Sequence, residues 1–266
     1  MIDVVVAGAA GRMGSRVIAC LGEAGDLRLV GALEAPGHPR LGADAGEVAG
    51  TGRLGVTIGT DPAALLTRDR VLIEFSTPEA SLEHLRLAAA AGARAVIGTT
   101  GFTARQRDEV KDLAGRTAVV LSPNMSVGVT LALRLLATMA RTLGDDYDVE
   151  ITEIHHRWKK DAPSGTALRM AEVIAEALGR DLSSAAVYGR QGLPGERARK
   201  EIGIFSLRSG DVVGEHTVVF GAPGERLELT HRAHSRDTFA RGALRAARFV
   251  AGRAPGLYSM QDVLGL

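Results

Sequence analysis

"IDVVVAGAAGRMGSRV", residues 2–17, joins three consecutive valines to a helical apolar pattern through Gly8, Gly11 and Gly14. The valine run reads as a strand and "RMGSRVIACLGEAG" as a helix, so the glycines occupy a strand-to-helix turn. Gly8 permits a tight turn, Gly11 lets backbone approach a pyrophosphate, and Gly14 lets the helix pack closely, with its first N–H groups facing the anion. The spacing is G-x-x-G-x-x-G, with Ala10 at the middle glycine of the commoner fingerprint. Taken alone it also fits a plain glycine-rich turn. The next predicted strand, "LRLVGALE", ends at Glu34, 20 residues after Gly14, where a carboxylate can accept both hydroxyls of an adenosine ribose. Turn and acid together predict a dinucleotide cofactor. A 2′-phosphate favours an arginine beside the acid, where this chain has Ala35; Arg12, His38 or Arg40 can still reach one, so NADH and NADPH both stay open.

Working outward, residues 1–125 alternate short apolar runs ("DRVLIEFS", "ARAVIGTT", "TAVVLSPN") with longer alanine- and leucine-rich stretches. Uninterrupted apolar strands between amphipathic helices are the pattern of a parallel sheet covered on both faces. Residues 35–55 show no period and are expected to form a long loop or irregular crossover. "SVGVTLALRLLATMARTLG" reads as one buried helix and "YDVEITEIHH" as a strand, and three further strand-like runs between residues 201 and 235 are punctuated by Ser-Gly-Asp and Pro-Gly-Glu. The expected fold is α/β: a Rossmann-like doubly wound parallel sheet with a second α+β domain carrying a mixed or antiparallel sheet. The expected division is residues 1–125 plus 236–266 for dinucleotide binding and 126–235 for substrate binding and oligomerisation.

The composition excludes several classes of function. A net charge of +1, with 24% charged and 45% hydrophobic residues, fits an ordinary globular protein. Arginines alternate with acids in stretches such as "TARQRDEVKDLAGR", which reads as a solvated face, so no nucleic-acid partner is expected. The single Cys20 excludes an internal disulfide framework and any multi-cysteine metal centre. With no basic leader and no run of about 18 uninterrupted apolar residues, the expectation is a cytoplasmic protein with no membrane partner.

"EIHHRWKKDAPSGTAL", residues 153–168, holds two of only four lysines in a chain with 28 arginines. Asp161 or Ser164 can cap the helix that follows, leaving Gly165 and Thr166 in its first turn, where backbone N–H groups and the dipole receive a carboxylate or phosphate. Lys159 and Lys160 stand beside that receptor. Arginine would also bind an acid but gives up a proton too reluctantly, whereas lysine can act as an acid. His155 and His156 point to opposite faces if the strand extends that far, so only one of them faces a reacting centre. "GTTG" (98–101) and "SPNMS" (122–126) follow predicted parallel strands, where ligands of open sheets bind, although turns use these residue types in any case. The G-x-S-x-G elbow, a G-K-[ST] phosphate loop, H-E-x-x-H and a Tyr-x-x-x-Lys relay are all absent, and no metal site is expected.

The segments "AGAAGRMG", "FSTPEAS", "IGTTGF", "SPNMSVGV", "EIHHRWKKDAPSGTAL", "GEHTVVF" and "ERLELTHRAHSRDTFARGAL" together resemble the 4-hydroxy-tetrahydrodipicolinate (dihydrodipicolinate) reductase family over nearly the whole chain. The resemblance implies NAD(P)H-dependent reduction of a cyclic imine dicarboxylate in lysine and diaminopimelate biosynthesis. It implies Gly8, Ala9, Ala10, Gly11, Arg12 and Met13 as the phosphate loop, Glu34 as ribose ligand, and Gly98, Thr99, Thr100, Ser122, Pro123, Asn124 and Met125 on the nicotinamide side. It further implies His155 as proton donor or acceptor, Lys159 as proton donor, His156, Gly165 and Thr166 as substrate contacts, and a homotetramer assembled through the second domain's sheet. Ala10 and Ala35 depart from the family pattern. The alternatives are another two-domain nicotinamide dehydrogenase acting on a small amino or imino dicarboxylate, and a nucleotide-sensing binding protein without turnover.

Overall fold

A computed structural model describes residues 1–266. In chain order its elements are β1 (Ile2–Ala7), α1 (Gly14–Gly22), β2 (Leu27–Leu33), α2 (Ala45–Ala49), β3 (Ile58–Gly59), α3 (Pro62–Leu65), β4 (Val71–Glu74), α4 (Pro78–Ala91), β5 (Arg94–Ile97), α5 (Ala104–Ala114) and β6 (Ala118–Leu121). There follow α6 (Val127–Leu143), β7 (Asp148–His155), α7 (Gly165–Ala177), α8 (Leu182–Ala185), β8 (Ala186–Val187), β9 (Ile202–Arg208), β10 (Gly214–Ala222) and β11 (Glu225–Ala233). The chain closes with α9 (Asp237–Ala251), β12 (Gly256–Tyr258) and α10 (Met260–Leu264). Two compact units result, one of residues Met1–Val127 with Arg236–Leu266 and the other of Gly128–Ser235.

Unit one carries a seven-stranded sheet in the order β12-β6-β5-β4-β1-β2-β3, and every pairing in it is parallel. Strand alternation explains the unbroken apolar run of β1. Val4 and Val6 join a core with Val17, Ile18 and Leu21 of α1 and Ala243, Leu244 and Ala247 of α9, while Val5 and Ala7 join Leu82 and Leu85 of α4 and Val110 of α5 on the other face. Each such fully buried Val or Leu contributes roughly 1.5–3 kcal/mol. Helix starts are written locally: Thr77 accepts from Ala80 N–H with Pro78 in the first turn of α4, and Thr103 and Gln106 form a reciprocal box at α5. The chain runs β1 to β3 in one direction and β4 to β6 in the other, so the topological switch lies between β1 and β4. Residues 35–55 are less irregular than their composition implies. Asp44 accepts from the N–H groups of Gly46, Glu47, Leu54 and Gly55, and this organises the short α2.

Unit two is a mixed five-stranded sheet, β11-β10-β7-β9-β8, with β9 parallel and β10 antiparallel to the central β7. The turn after β9 is therefore no hairpin, because β7 lies between β9 and β10. In passing over the end of β7 that turn bonds it: Ser209 N–H donates to His155 O (2.9 Å) and Arg157 N–H to Gly210 O (3.1 Å). Val149, Ile151, Ile202, Ile204, Val218 and Phe220 form a core with Ala132, Leu136 and Ala140 of α6 and Met170, Ala171 and Ile174 of α7. Helix α6 is not the fully buried helix expected from its composition. One stripe at helical spacing is covered, whereas Leu131 and Leu135 are 43% and 44% exposed.

Candidate active site

In unit one the loops after β1, β4, β5 and β6 meet at the carboxyl edge of the sheet. They enclose a cavity of about 450 Å³ lined by Arg12, Met13, Phe75, Ser76, Gly98–Thr100, Pro123–Met125 and Phe239. Gly8 has φ +71°, and a Cβ there would stand 2.6 Å from Phe75 O. Gly14 opens α1 so close to the turn that a Cβ would meet Gly8 O at 2.1 Å. Both positions therefore require glycine, one for conformation and both for space. Glu34 follows directly after β2, one residue beyond the observed strand end, and its carboxylate accepts from Ala10 N–H (3.0 Å) and Ala35 N–H (3.1 Å). The loop Gly8–Gly11 and Glu34 are thus one hydrogen-bonded assembly. Ser122 lies outside the lining and serves the wall from behind, its hydroxyl donating to Asn124 O (2.8 Å).

Sequence reasoning missed Phe75, Ser76 and Phe239 as lining residues, and the pair that holds the first two. Glu74, fully buried at the end of β4, accepts from Ser76 N–H (3.0 Å) and pairs with His84 Nδ1 (2.7 Å). "EFSTP" follows a parallel strand just as "GTTG" does, so its position in the pattern carried the signal. These residues fit a dinucleotide: a tight glycine turn at a helix start, an acid after the second strand, and a cavity at the switch point.

In unit two, His155 is the last residue of β7 and His156 lies just beyond the strand. Parity from Val149 and Ile151 turns Glu153 and His155 to the inner face. Glu153 is fully buried, and its carboxylate pairs with His155 Nδ1 (2.5 Å), accepts from Ser164 N–H (3.1 Å) and takes Arg208 Nη1 on both oxygens (3.0 Å each). Burial by itself would raise the Glu153 carboxyl, but hydrogen bonds from His155, Ser206 and Arg208 outweigh it and hold it below the usual range. Burial lowers His155, against the opposing pull of Glu153. The pair at neutral pH is accordingly an ionised carboxylate and a neutral imidazole. A carboxylate only accepts, so Nδ1 carries the proton and Nε2 carries the lone pair. Gly214 backs onto that nitrogen, where a Cβ would stand 2.9 Å from it.

Ser164, not Asp161, caps α7, accepting from Ala167 N–H (3.2 Å), and the Gly165 N–H that follows has no carbonyl partner within the helix. Lys159 Nζ is paired with Asp161 (2.8 Å), and its side chain is 19% exposed. Its charge contributes to the lowering of both His155 and His216. Lys160 is exposed. His156 has a buried Nδ1 without a hydrogen-bond partner, and its ring lies 5.7 Å from that of Trp158, which is itself 67% exposed. His216, 4% exposed, was not singled out from the sequence; it sits opposite Glu153 in the β10–β7 register and bonds Ser164 Oγ through Nε2 (3.0 Å).

Burial pushes His216 down to about 4 from 6.5. The native state binds this proton more weakly than the unfolded chain, so the stabilising contribution is complete above about 6.5 and is lost as pH falls towards about 4. The loss is about 3 kcal/mol. Denaturant unfolding between pH 7 and pH 4 is expected to show a shallower pH dependence in His216→Gln than in the unaltered protein.

A glycine turn and acid at a parallel-sheet edge in one unit, and in the other a carboxylate-oriented histidine, a lysine and a helix start with free N–H groups, are the features of a two-unit NAD(P)H-dependent oxidoreductase. Two family models match, "Dihydrodipicolinate reductase, N-terminus" over residues 2–125 and "Dihydrodipicolinate reductase, C-terminus" over residues 128–264. The chain belongs to the dihydrodipicolinate reductase family. It is 55% identical over 265 residues to the 4-hydroxy-tetrahydrodipicolinate reductase of Syntrophus aciditrophicus (strain SB), covering 100% of this chain and 99% of the relative. It is 55% identical over 266 residues to that of Geobacter sulfurreducens (strain ATCC 51573 / DSM 12127 / PCA), covering 100% of both. A dipicolinate-bound dihydrodipicolinate reductase from Paenisporosarcina sp. TG-14 superposes with a TM-score of 0.78 at 26% identity, covering 98% of each chain.

Proposed function

We propose that the protein reduces 4-hydroxy-tetrahydrodipicolinate to tetrahydrodipicolinate with NADH or NADPH, with His155 and Lys159 handling the protons. The observation that carries this reading is the neutral, Glu153-oriented His155 beside Lys159, ahead of the helix start at Gly165. The ring loses its hydroxyl as water and gains one hydride and one proton. A bound nicotinamide supplies the hydride. The chain supplies the rest. His155 Nε2 takes a ring proton, Lys159 protonates the departing hydroxyl so that it leaves as water, and His155 returns its proton to the carbon beside the hydride acceptor. Gly165, Thr166 and His156 receive the substrate carboxylates; the unpartnered Nδ1 of His156 supports its role as a ligand contact. The cofactor is held by Gly8–Met13, Glu34, Gly98–Thr100 and Ser122–Met125.

Adding the freshly made condensation product of pyruvate and aspartate semialdehyde tests the reading directly. Oxidation of NADH or NADPH supports it, oxidation only with another imino acid supports the alternative dehydrogenase, and cofactor binding without oxidation overturns both. For the cofactor, Glu34→Ala is expected to raise the KM for NADH about tenfold, the loss of charge-assisted hydrogen bonds to the ribose, and to affect NADPH less because the acid also repels a 2′-phosphate. The proposal extends to a homotetramer assembled through the unit-two sheet, supported by the exposed Leu207 and Leu227 on β9 and β11, and to a cytoplasmic location.

A further inference from the structure

We infer that Glu153 is the positioning residue of this site, a single buried carboxylate that fixes both the tautomer of His155 and the start of the anion-receiving helix α7; the inference rests on the reductase reading. Three observations carry it. First, Glu153 has no exposed surface, yet both of its oxygens are used. One meets His155 Nδ1 at 2.5 Å, the other receives Ser164 N–H at 3.1 Å, and Arg208 Nη1 spans the two at 3.0 Å. Second, Ser164 is the residue whose hydroxyl caps α7, so the carboxylate that orients the imidazole also holds the backbone that presents Gly165 and Thr166. Third, Arg208 reaches past Glu153 with its other nitrogen to Asp161 O (2.6 Å), and Asp161 is the partner of Lys159. One ion pair thereby ties together the elements that present the histidine, the lysine and the anion turn.

A buried carboxylate is costly unless it is paired and fully hydrogen-bonded, and packing alone would be served by an apolar side chain at this strand position. Its presence is explained by the lone pair it secures on His155 Nε2. With an amide in place of Glu153, a donor would face Nδ1 and favour the other tautomer, the error that a carboxylate behind a catalytic histidine prevents. The charged and titratable groups around His155 are Glu153 on its own strand, Arg208 on β9, His216 on β10 with its ring 5.2 Å away, and Lys159 with Asp161 on the loop before α7. Glu153 raises the affinity of His155 for a proton, whereas Arg208 and Lys159 lower it.

The test compares Glu153→Gln and Arg208→Gln in the full-length protein with NADH and the condensation product. Glu153→Gln is expected to lower kcat about 100-fold, raise the substrate KM several-fold and leave the NADH Kd within about twofold. The limb of the pH–kcat profile that reports His155 is expected to move to lower pH in Glu153→Gln and to higher pH in Arg208→Gln, opposite directions that a purely structural role would not produce. His155 proton NMR titration without substrate reads the same two shifts when turnover is absent, which separates failure of this inference from failure of the reductase reading. Should Glu153→Gln not fold, Glu153→Asp, which keeps the charge but draws it back from Nδ1, is read in its place by the same kcat and His155 titration criteria. Unmoved His155 titration in the folded variants, or a kcat for Glu153→Gln within about threefold of the unaltered protein, overturns the inference.

Discussion

Replacing Lys159 with alanine is expected to lower kcat about 1,000-fold while the Kd for NADH changes by less than about twofold. A positioned general acid contributes roughly 10²–10⁴ to a rate, and the neighbouring Lys160 is exposed. Arginine at position 159 should not restore the rate, because a guanidinium keeps its proton, whereas it should preserve any purely electrostatic hold on a substrate carboxylate. The split between the alanine and arginine variants therefore separates proton donation from anion binding. Asp161, held below its usual range by the Lys159 hydrogen bond, keeps the ammonium in place in the free protein. Steady-state kinetics with NADH titrations followed by fluorescence give both numbers. An unchanged kcat in Lys159→Ala removes that side chain from the proton-donor role.

The second large effect is expected at Gly14. An alanine Cβ there would lie 2.1 Å from Gly8 O, 2.7 Å from Gly8 C and 2.8 Å from Ala9 Cα, all backbone, so no flexible side chain can yield. Either α1 shifts away from β1, disturbing the core that Val17 and Ile18 share with Val4 and Val6, or the Gly8–Gly11 turn opens and the proposed cofactor cradle is lost. Overpacking against rigid backbone costs about 3 kcal/mol. For a unit of this size that lowers the Tm by about 6–12 °C. The Kd for NADH should rise at least tenfold. Gly22 at the other end of the same helix supplies the control, since nothing lies within 4 Å of a Cβ there. Gly22→Ala is expected to be neutral or stabilising by about 0.5 kcal/mol, in line with helix propensity. Thermal melts and NADH binding of the two variants make the comparison, and equal stability of Gly14→Ala and the unaltered protein would show that the turn is not set by this contact.

Local chemistry made much of the molecule legible in advance. The glycine turn, the acid after the second strand, and the "GTTG" and "SPNMS" loops each follow a parallel strand in sequence, and a parallel strand delivers whatever follows it to one edge of the sheet. The histidine pair was legible only in part. Alternation along β7 was available, since Val149 and Ile151 face the core and Glu153 and His155 share their parity, but a glutamate in a strand reads by default as solvent-facing. Its burial depends on Arg208, 55 residues later, and that pairing exists only because β9 lies parallel beside β7 with His155 opposite Arg208. The three-residue β12 likewise carries too little pattern to be read, and it becomes a strand because β6 offers an unpaired parallel edge.

By itself, the sequence determined the α/β class, the phosphate-type turn at Gly8–Gly14, the acid at Glu34 and the proximity of His155, Lys159 and Gly165, because each depends on residues within about a dozen positions of one another or on a strand-helix period. Tertiary structure alone decided which histidine is oriented, that Glu153 is ionised and buried, that His216 stays neutral against Ser164, and that the turn after β9 crosses the end of β7. The reason is physical: backbone conformation and capping are settled by near neighbours, whereas the protonation of a buried group is settled by whichever charges the fold brings within hydrogen-bonding distance, and those come from strands that sequence order does not place side by side.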